Sequence, residues 1–227
     1  MNLLALDTSS VACTVAVQHG DEVFERHEEQ PREHTRLLMP MIRAVLADAD
    51  VELSGLDGIV LGNGPGSFIG MRIAASVAQG LAYGAGLNIA PVSSMAAIAA
   101  EVTVDQTGHV AVAQDAHMNE VYFGIYKRDD KGLAEIVAER LQACEAIPEL
   151  SDIENCVAAG FGWQRFPALL ETNRACLGRV SKVYYPSSRF LLELGNSAFR
   201  GGETVAAADV VPAYLRQKVA EKPRGKV

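Results

Sequence analysis

The stretch GNGPGSFIGMRIA, residues 62–74, holds the densest chemical signal in this sequence. Gly62, Gly64, Gly66 and Gly70 surround Pro65 and lead into a helix-forming run. Loops of this kind can bring backbone N–H groups onto a phosphate. Spacing tests that chemistry. The dinucleotide fingerprint G-x-G-x-x-G needs glycine at position 67 after Gly62 and Gly64, and the residue there is Ser67. A Walker loop needs Gly-Lys followed by Ser or Thr, and no lysine lies near. The glycines are better explained by backbone geometry: they permit positive φ and a sharp exit from a strand, and Pro65 stiffens the turn.

Other reactive side chains are scattered. The histidines at 19, 27, 34, 109 and 117 form no HxxxH or HxxH pair, so no metal site is expected. Cys13, Cys144, Cys156 and Cys176 form no CxxC motif and fit reduced, buried thiols of a cytosolic chain. Asp7 ends the first apolar run, where it serves equally as a turn former or a cleft-facing acid. Asp115 ends the first strand of the second half and is expected to be structural. His34 is expected to be a surface cap and Trp163 a core residue. Arg216, Lys218, Lys222, Arg224 and Lys226 form a basic, solvated tail.

These groups need a scaffold. At 227 residues, with 49% apolar and 21% charged residues, the chain suits one large or two small globular domains. Its net charge of -8 argues against gripping nucleic acid unaided. The absence of a basic, apolar leader predicts a cytoplasmic protein. Residues 73–100 carry no charge, yet Gln79, Gly84, Gly86, Asn88 and Pro91 interrupt them, so a buried helix, turn and strand are expected and not a membrane span.

Apolar runs at 3–5 and 13–17, a turn at His19-Gly20-Asp21 and an alternating run at 22–27 predict an antiparallel meander. Leu37, Leu38, Met41, Ile42, Val45, Leu46 and Ala49 predict a helix over 35–49, with Pro40 in an early turn. A strand at 58–61, a helix over 68–83 capped by Ser67, a strand in LNIAPVSS and a helix over 95–102 complete a β-β-β-α-β-α-β-α order. The second half restarts with strands HVAVAQDA and EVYFGIYKR, a DDKG turn, and CVAAGFGWQRF. A strand ending in Asp thus opens each half.

The two helices of the first half carry wide apolar stripes. Phe68, Ile69, Met71, Ile73, Ala74, Val77, Ala78, Leu81 and Ala82 nearly encircle the second one. A helix apolar on most sides must be covered on most sides. A protein-binding patch is therefore expected, formed by Leu38, Met41, Ile42, Val45, Phe68, Met71, Arg72, Ala74, Ala75 and Ala78. Mutual cover within one domain is the alternative.

LALDTSS, PREHT, GPGSFIGMRIA, AQDAHMNEVY and PAYLR, with the duplicated strand plan, together resemble the TsaB (YeaZ) family of bacterial tRNA threonylcarbamoyladenosine biosynthesis proteins. The resemblance runs nearly end to end. It implies an α/β, duplicated actin-like ATPase (ribonuclease H-like) fold of two lobes, each a mixed sheet flanked by helices. The lobes would span 1–106 and 107–227, with a terminal segment packing back on the first. The implied role is a non-catalytic scaffold of the complex that makes threonylcarbamoyladenosine (t6A) beside the anticodon of tRNAs reading codons that start with A. The implied partners are the catalytic paralogue TsaD, the ATPase TsaE, a second copy of the chain through the same helical face, and tRNA only indirectly, with no membrane. The paralogue's metal-binding HxxxH falls on Ser94 and Ile98 here. Asp7, Thr8, Ser9 and Asp115 would line a degenerate nucleotide cleft. No cofactor is expected, ATP, ADP or magnesium having a place only at a junction with partners. Ile69 replaces the threonine usual after GPGSF. A kinase or ATPase using Asp7, or a metallopeptidase, are the alternatives.

Overall fold

The computed structural model of the protein describes residues 1–103 and 108–216. The 106/107 lobe boundary and the basic positions Lys218, Lys222, Arg224 and Lys226 lie outside the described residues. The first half runs β1 (Leu3–Asp7), β2 (Ala12–His19), β3 (Glu22–Glu29), α1 (His34–Asp48), β4 (Gly58–Gly62), α2 (Phe68–Ala85), β5 (Asn88–Val92) and α3 (Ser94–Val102). The second runs β6 (Gly108–Asp115), β7 (Glu120–Asp129), β8 (Gly132–Ala143), β9 (Cys156–Ala159), α4 (Phe161–Arg165), α5 (Pro167–Asn173), β10 (Leu177–Val180) and α6 (Ser188–Gly201).

The sheet orders are β3-β2-β1-β4-β5 and β10-β9-β6-β7-β8. Each is an antiparallel meander extended by two parallel strands, so one plan is used twice. The inner parallel strands β4 and β9 are short and apolar, as strands covered on both faces must be. On β7, Val121, Phe123 and Ile125 enter one core while Tyr122 and Tyr126 enter the other.

Helix ends follow local chemistry. Ser67 caps α2 by accepting from Gly70 N–H (3.2 Å), and Gly86 ends it in a left-handed conformation. Ser93 caps α3 through the N–H groups of Met95 and Ala96. On the first sheet, α1 and α2 cover one face. The other face is covered by α6, whose Leu191 and Leu192 meet Leu3, Ala5 and Val60. At Gly195 the helix crosses so closely that a Cβ would overlap Val60.

The two halves exchange their last helices. α3 packs on the second sheet, with Met95, Ile98 and Ala99 among Val110, Val112 and Tyr126. α6, from the second half, packs on the first sheet and touches α3. The chain then returns to the first lobe, where Val205 pairs with Ile89 and Ala207 and Val210 join the core under α1 and α2. Each sheet is built from one half of the chain, and each half supplies a helix that covers the other's sheet. Among the described residues no helix is long and apolar enough to cross a membrane.

Candidate functional site

The glycine loop leaves β4 at Gly62 and is clamped to the end of β1. The Asp7 carboxylate accepts from Ser9 N–H (2.6 Å) and from the Ser94 hydroxyl. The same hydroxyl accepts from Gly64 N–H (3.0 Å), and Ser94 N–H donates to Gly64 O (2.9 Å). The Thr8 hydroxyl donates to Gly70 O (2.7 Å), and Ser67 N–H donates to Ser9 O (2.6 Å). A Cβ at Gly66 would overlap Ser9 O, and one at Gly70 would overlap Thr8 O. Gly66 and Gly70 thus serve close backbone approach to residues 8 and 9, and the N–H and C=O groups of Gly64 and Gly70 are bonded inside the chain.

This placement corrects two expectations. Asp7 and Thr8 do not face the cleft: both are fully buried. Burial pushes the Asp7 carboxyl above its ordinary range, against the lowering effect of the Ser94 and Ser9 hydrogen bonds. His34, expected at the surface, is buried as the first residue of α1, and its Nδ1 has no hydrogen-bond partner among the described residues.

A cleft of about 910 Å³ lies between the lobes. Ser9, Ser10, Pro65, Ile69, Asp115 and Met118 contribute to its walls. Asp115 accepts from His117 N–H (2.8 Å) and stands 3.8 Å from Arg165 Nε. The β6–β7 turn that follows has His117, Met118 and Asn119 at φ of 60, 55 and 61°, three left-handed residues in a row without glycine. Ser9 and Asp115 both contribute to the cleft walls, with Asp7 and Thr8 buried behind them. Trp163 is core, its indole N–H donating to Ala111 O (3.0 Å). Among the described residues no group of three or more His, Cys, Asp or Glu side chains could hold a metal ion.

The expected interface patch is largely internal. Leu38, Met41, Ile42, Val45, Ala74, Ala75 and Ala78 are all buried in the first-lobe core, and Met71 is buried against the glycine loop at Gly64. The sheet lies beneath both helices, and Phe24, Leu53, Val205, Ala207 and Val210 close their flanks, so the chain absorbs its own apolar width. Of the expected residues, Arg72 is exposed and Phe68 half-buried. The outer row of α2 is different: Ile69 is 69% and Tyr83 85% exposed, with Arg72, Ser76 and Gly80 between them and half-buried Ile73 and Val77 alongside. The width of the stripe signalled a surplus but could not say which residues formed it.

Sequence reasoning missed the contacts of residues 210–216. Asn63 Nδ2 donates to Val211 O (3.0 Å), Arg72 Nε to Tyr214 Oη (3.0 Å), and Arg216 pairs with Glu120 (2.7 Å). The PAYLR motif was the available signal.

The family model of TsaD, tRNA N6-adenosine threonylcarbamoyltransferase, matches residues 27–223. The tRNA threonylcarbamoyladenosine biosynthesis protein TsaB of Haemophilus influenzae is 37% identical over 98% of this chain and 96% of its own length. The Escherichia coli TsaB is 36% identical over 98% and 97%. The structure of YeaZ from Pseudomonas aeruginosa superimposes with a TM-score of 0.84 at 35% identity, covering 94% of this chain and 99% of that one.

Proposed function

The chain belongs to the TsaB family of tRNA threonylcarbamoyladenosine biosynthesis proteins, and from that membership we propose that it acts as a non-catalytic scaffold for a TsaD-type threonylcarbamoyltransferase. It takes part in making t6A, the modified adenosine beside the anticodon of tRNAs that read codons beginning with A. In this role it works in the cytoplasm, binds and stabilises the transferase, and meets tRNA only through the complex, which the ATPase TsaE joins.

The observation that carries the scaffold role is the burial of Asp7. A kinase or ATPase of this fold would need that acid in the cleft, and here the loop clamp consumes it. The metallopeptidase alternative finds no ligand group among the described residues. We assign the chain no cofactor of its own; ATP, ADP or magnesium belong at a junction with partners.

The docking face is the outer row of α2, from Ile69 to Tyr83. Its occupant in this reading is the transferase, the partner that membership of the TsaB family implies. Homologous folds can pair by presenting equivalent faces about a pseudo-twofold axis. A second copy of this chain takes the same face when the transferase is absent. The test is co-purification of TsaD with Ile69→Asp and Ile73→Arg, each checked for folding by circular dichroism. Loss of capture with the fold intact is expected; normal capture by both variants overturns the assignment.

A further inference from the structure

Residues 210–216 cross from one lobe to the other along the cleft. Val210 is buried in the first-lobe core, and Leu215 packs on the cluster around Met95 and Tyr122. At the first-lobe end, Asn63 holds both Val211 O and Ala213 N–H (3.1 Å). The Tyr214 ring lies 5.8 Å from Phe68, and its hydroxyl accepts from Arg72, whose guanidinium also stacks on Phe68 at 3.4 Å. At the second-lobe end, Arg216 is nearly buried. It donates to Ala116 O (2.9 Å) and pairs with Glu120. Those two residues bracket the left-handed turn His117-Met118-Asn119.

A turn of three left-handed, non-glycine residues is strained and persists only when its surroundings over-determine it. Within the turn, Glu120 N–H donates to His117 O (3.0 Å) and Ala116 N–H to Glu120 O (3.0 Å). From outside the turn, Arg216 adds a cation against Ala116 O (2.9 Å), His117 O (3.5 Å) and the Glu120 carboxylate (2.7 Å), so the strap is an external clamp on it. The other end of the strap is held by Arg72, on the exposed row of α2.

We propose that residues 210–216 form a coupling strap, through which the Arg72–Tyr214 contact on the α2 surface sets the stability of the β6–β7 turn on the opposite cleft wall. A protein seated on Ile69, Arg72 and Ile73 would meet Tyr214 and so alter the cleft; that consequence alone rests on the docking face assigned above. The coupling is a property of the lone chain and is tested there.

The experiment is amide hydrogen exchange of the full chain, read at Ala116, His117 and Glu120 and normalised to Leu6, a core amide that reports global opening. Arg216→Ala, Tyr214→Phe and Arg72→Met are compared with the parent. Tyr214→Phe removes one oxygen and keeps the ring. Each variant is expected to speed exchange of the turn amides by at least about fivefold, the low end of site-to-site coupling, with Leu6 unchanged. Combining Tyr214→Phe with Arg216→Ala should add little to Arg216→Ala alone. Unchanged turn amides in Arg72→Met and Tyr214→Phe, an unchanged turn in Arg216→Ala, or an equal rise at Leu6 would each overturn the proposal. Because no partner is present, failure here leaves the docking face untouched, and failure of TsaD capture leaves the strap untouched.

Discussion

The Asp7 carboxylate and the Ser94 hydroxyl, 87 positions apart, share a hydrogen bond in the floor of the glycine loop. Ser94 in turn accepts from Gly64 N–H, so one hydroxyl links the end of β1, the loop and the start of α3. Removing the Asp7 side chain strands the Ser9 N–H and the Ser94 hydroxyl in the core. Asp7→Ala is expected to cost about 2–4 kcal/mol, one to two unsatisfied buried groups. Urea unfolding measures it. A loss below about 0.5 kcal/mol, the scale of surface changes, would mean that the clamp is dispensable.

The same clamp fixes what Gly70 can become. An added Cβ would overlap Thr8 O, a backbone atom that cannot swing aside. Gly70→Ala is expected to destabilise by about 1–3 kcal/mol, although alanine is the better helix former. Gly80, in the same helix, has nothing within reach of a Cβ. Gly80→Ala should therefore stabilise by up to about 1 kcal/mol. Thermal melts of the two variants should shift in opposite directions; shifts of the same sign would mean that the overlap relaxes.

The strands β1 to β5, β6, β7 and β9 are legible because apolar runs and turn residues mark them; β8 and β10, half-exposed and mixed in composition, carry no such mark. The exchange of α3 and α6 was not legible, because which sheet a helix covers is decided by the far side of the fold. α6 itself carried a usable signal, an apolar row at Leu191, Leu194 and Ala198 ending before Gly202, and it was overlooked. For the site, Asp7 and Asp115 occupy matching ends of β1 and β6, yet one is sealed and the other lines the cleft. Asp7 is covered by the glycine loop at Gly62 and by Ser94 on a distant helix, and spacing along the chain does not encode that meeting. The surplus of apolar surface on α1 and α2 was likewise visible, while the covering residues 203–213 came from the other end of the sequence.

Burial of Ala74 gives a contrast with the exposed row beside it. Ala74 is fully buried between α2 and the sheet, so Ala74→Arg places a charge in the core. It is expected to leave no folded protein to test for binding. Ser76→Arg, one turn face away and exposed, should fold normally and weaken transferase capture. Circular dichroism with capture on both variants checks this. A folded Ala74→Arg chain would show the core more yielding than its packing suggests.

Glu101, on α3, gives a pH dependence. Burial first, and the Glu25 carboxylate second, push its carboxyl up to about 6 from 4.5. A carboxyl raised on folding contributes fully below its unfolded value, and the contribution is lost as pH rises through the folded one. The parent chain should therefore lose stability relative to Glu101→Gln between about pH 4.5 and 6 and stay lower above. Solvent screening of this half-exposed group limits the change to about 1 kcal/mol or less. Urea midpoints at pH 4.5 and 7 decide it; a constant difference between the two chains would place Glu101 in an ordinary environment.

Arg128 closes the joint where the exchanged helices meet. From β7 it donates to Glu193 on α6 (2.6 Å) and to the Thr103 hydroxyl at the end of α3 (2.9 Å). The planar guanidinium reaches both at once, which a lysine ammonium on a flexible stem does poorly. Arg128→Ala is expected to cost about 1–2 kcal/mol, less than a fully buried charged pair because Glu193 remains solvated. Arg128→Lys should recover only part of that loss. In a double-mutant cycle with Glu193→Gln the coupling should be about 1 kcal/mol. Equal stability of Arg128→Lys and the parent would mean that charge alone holds the joint, and the fork geometry would then have no part in keeping the two lobes in register.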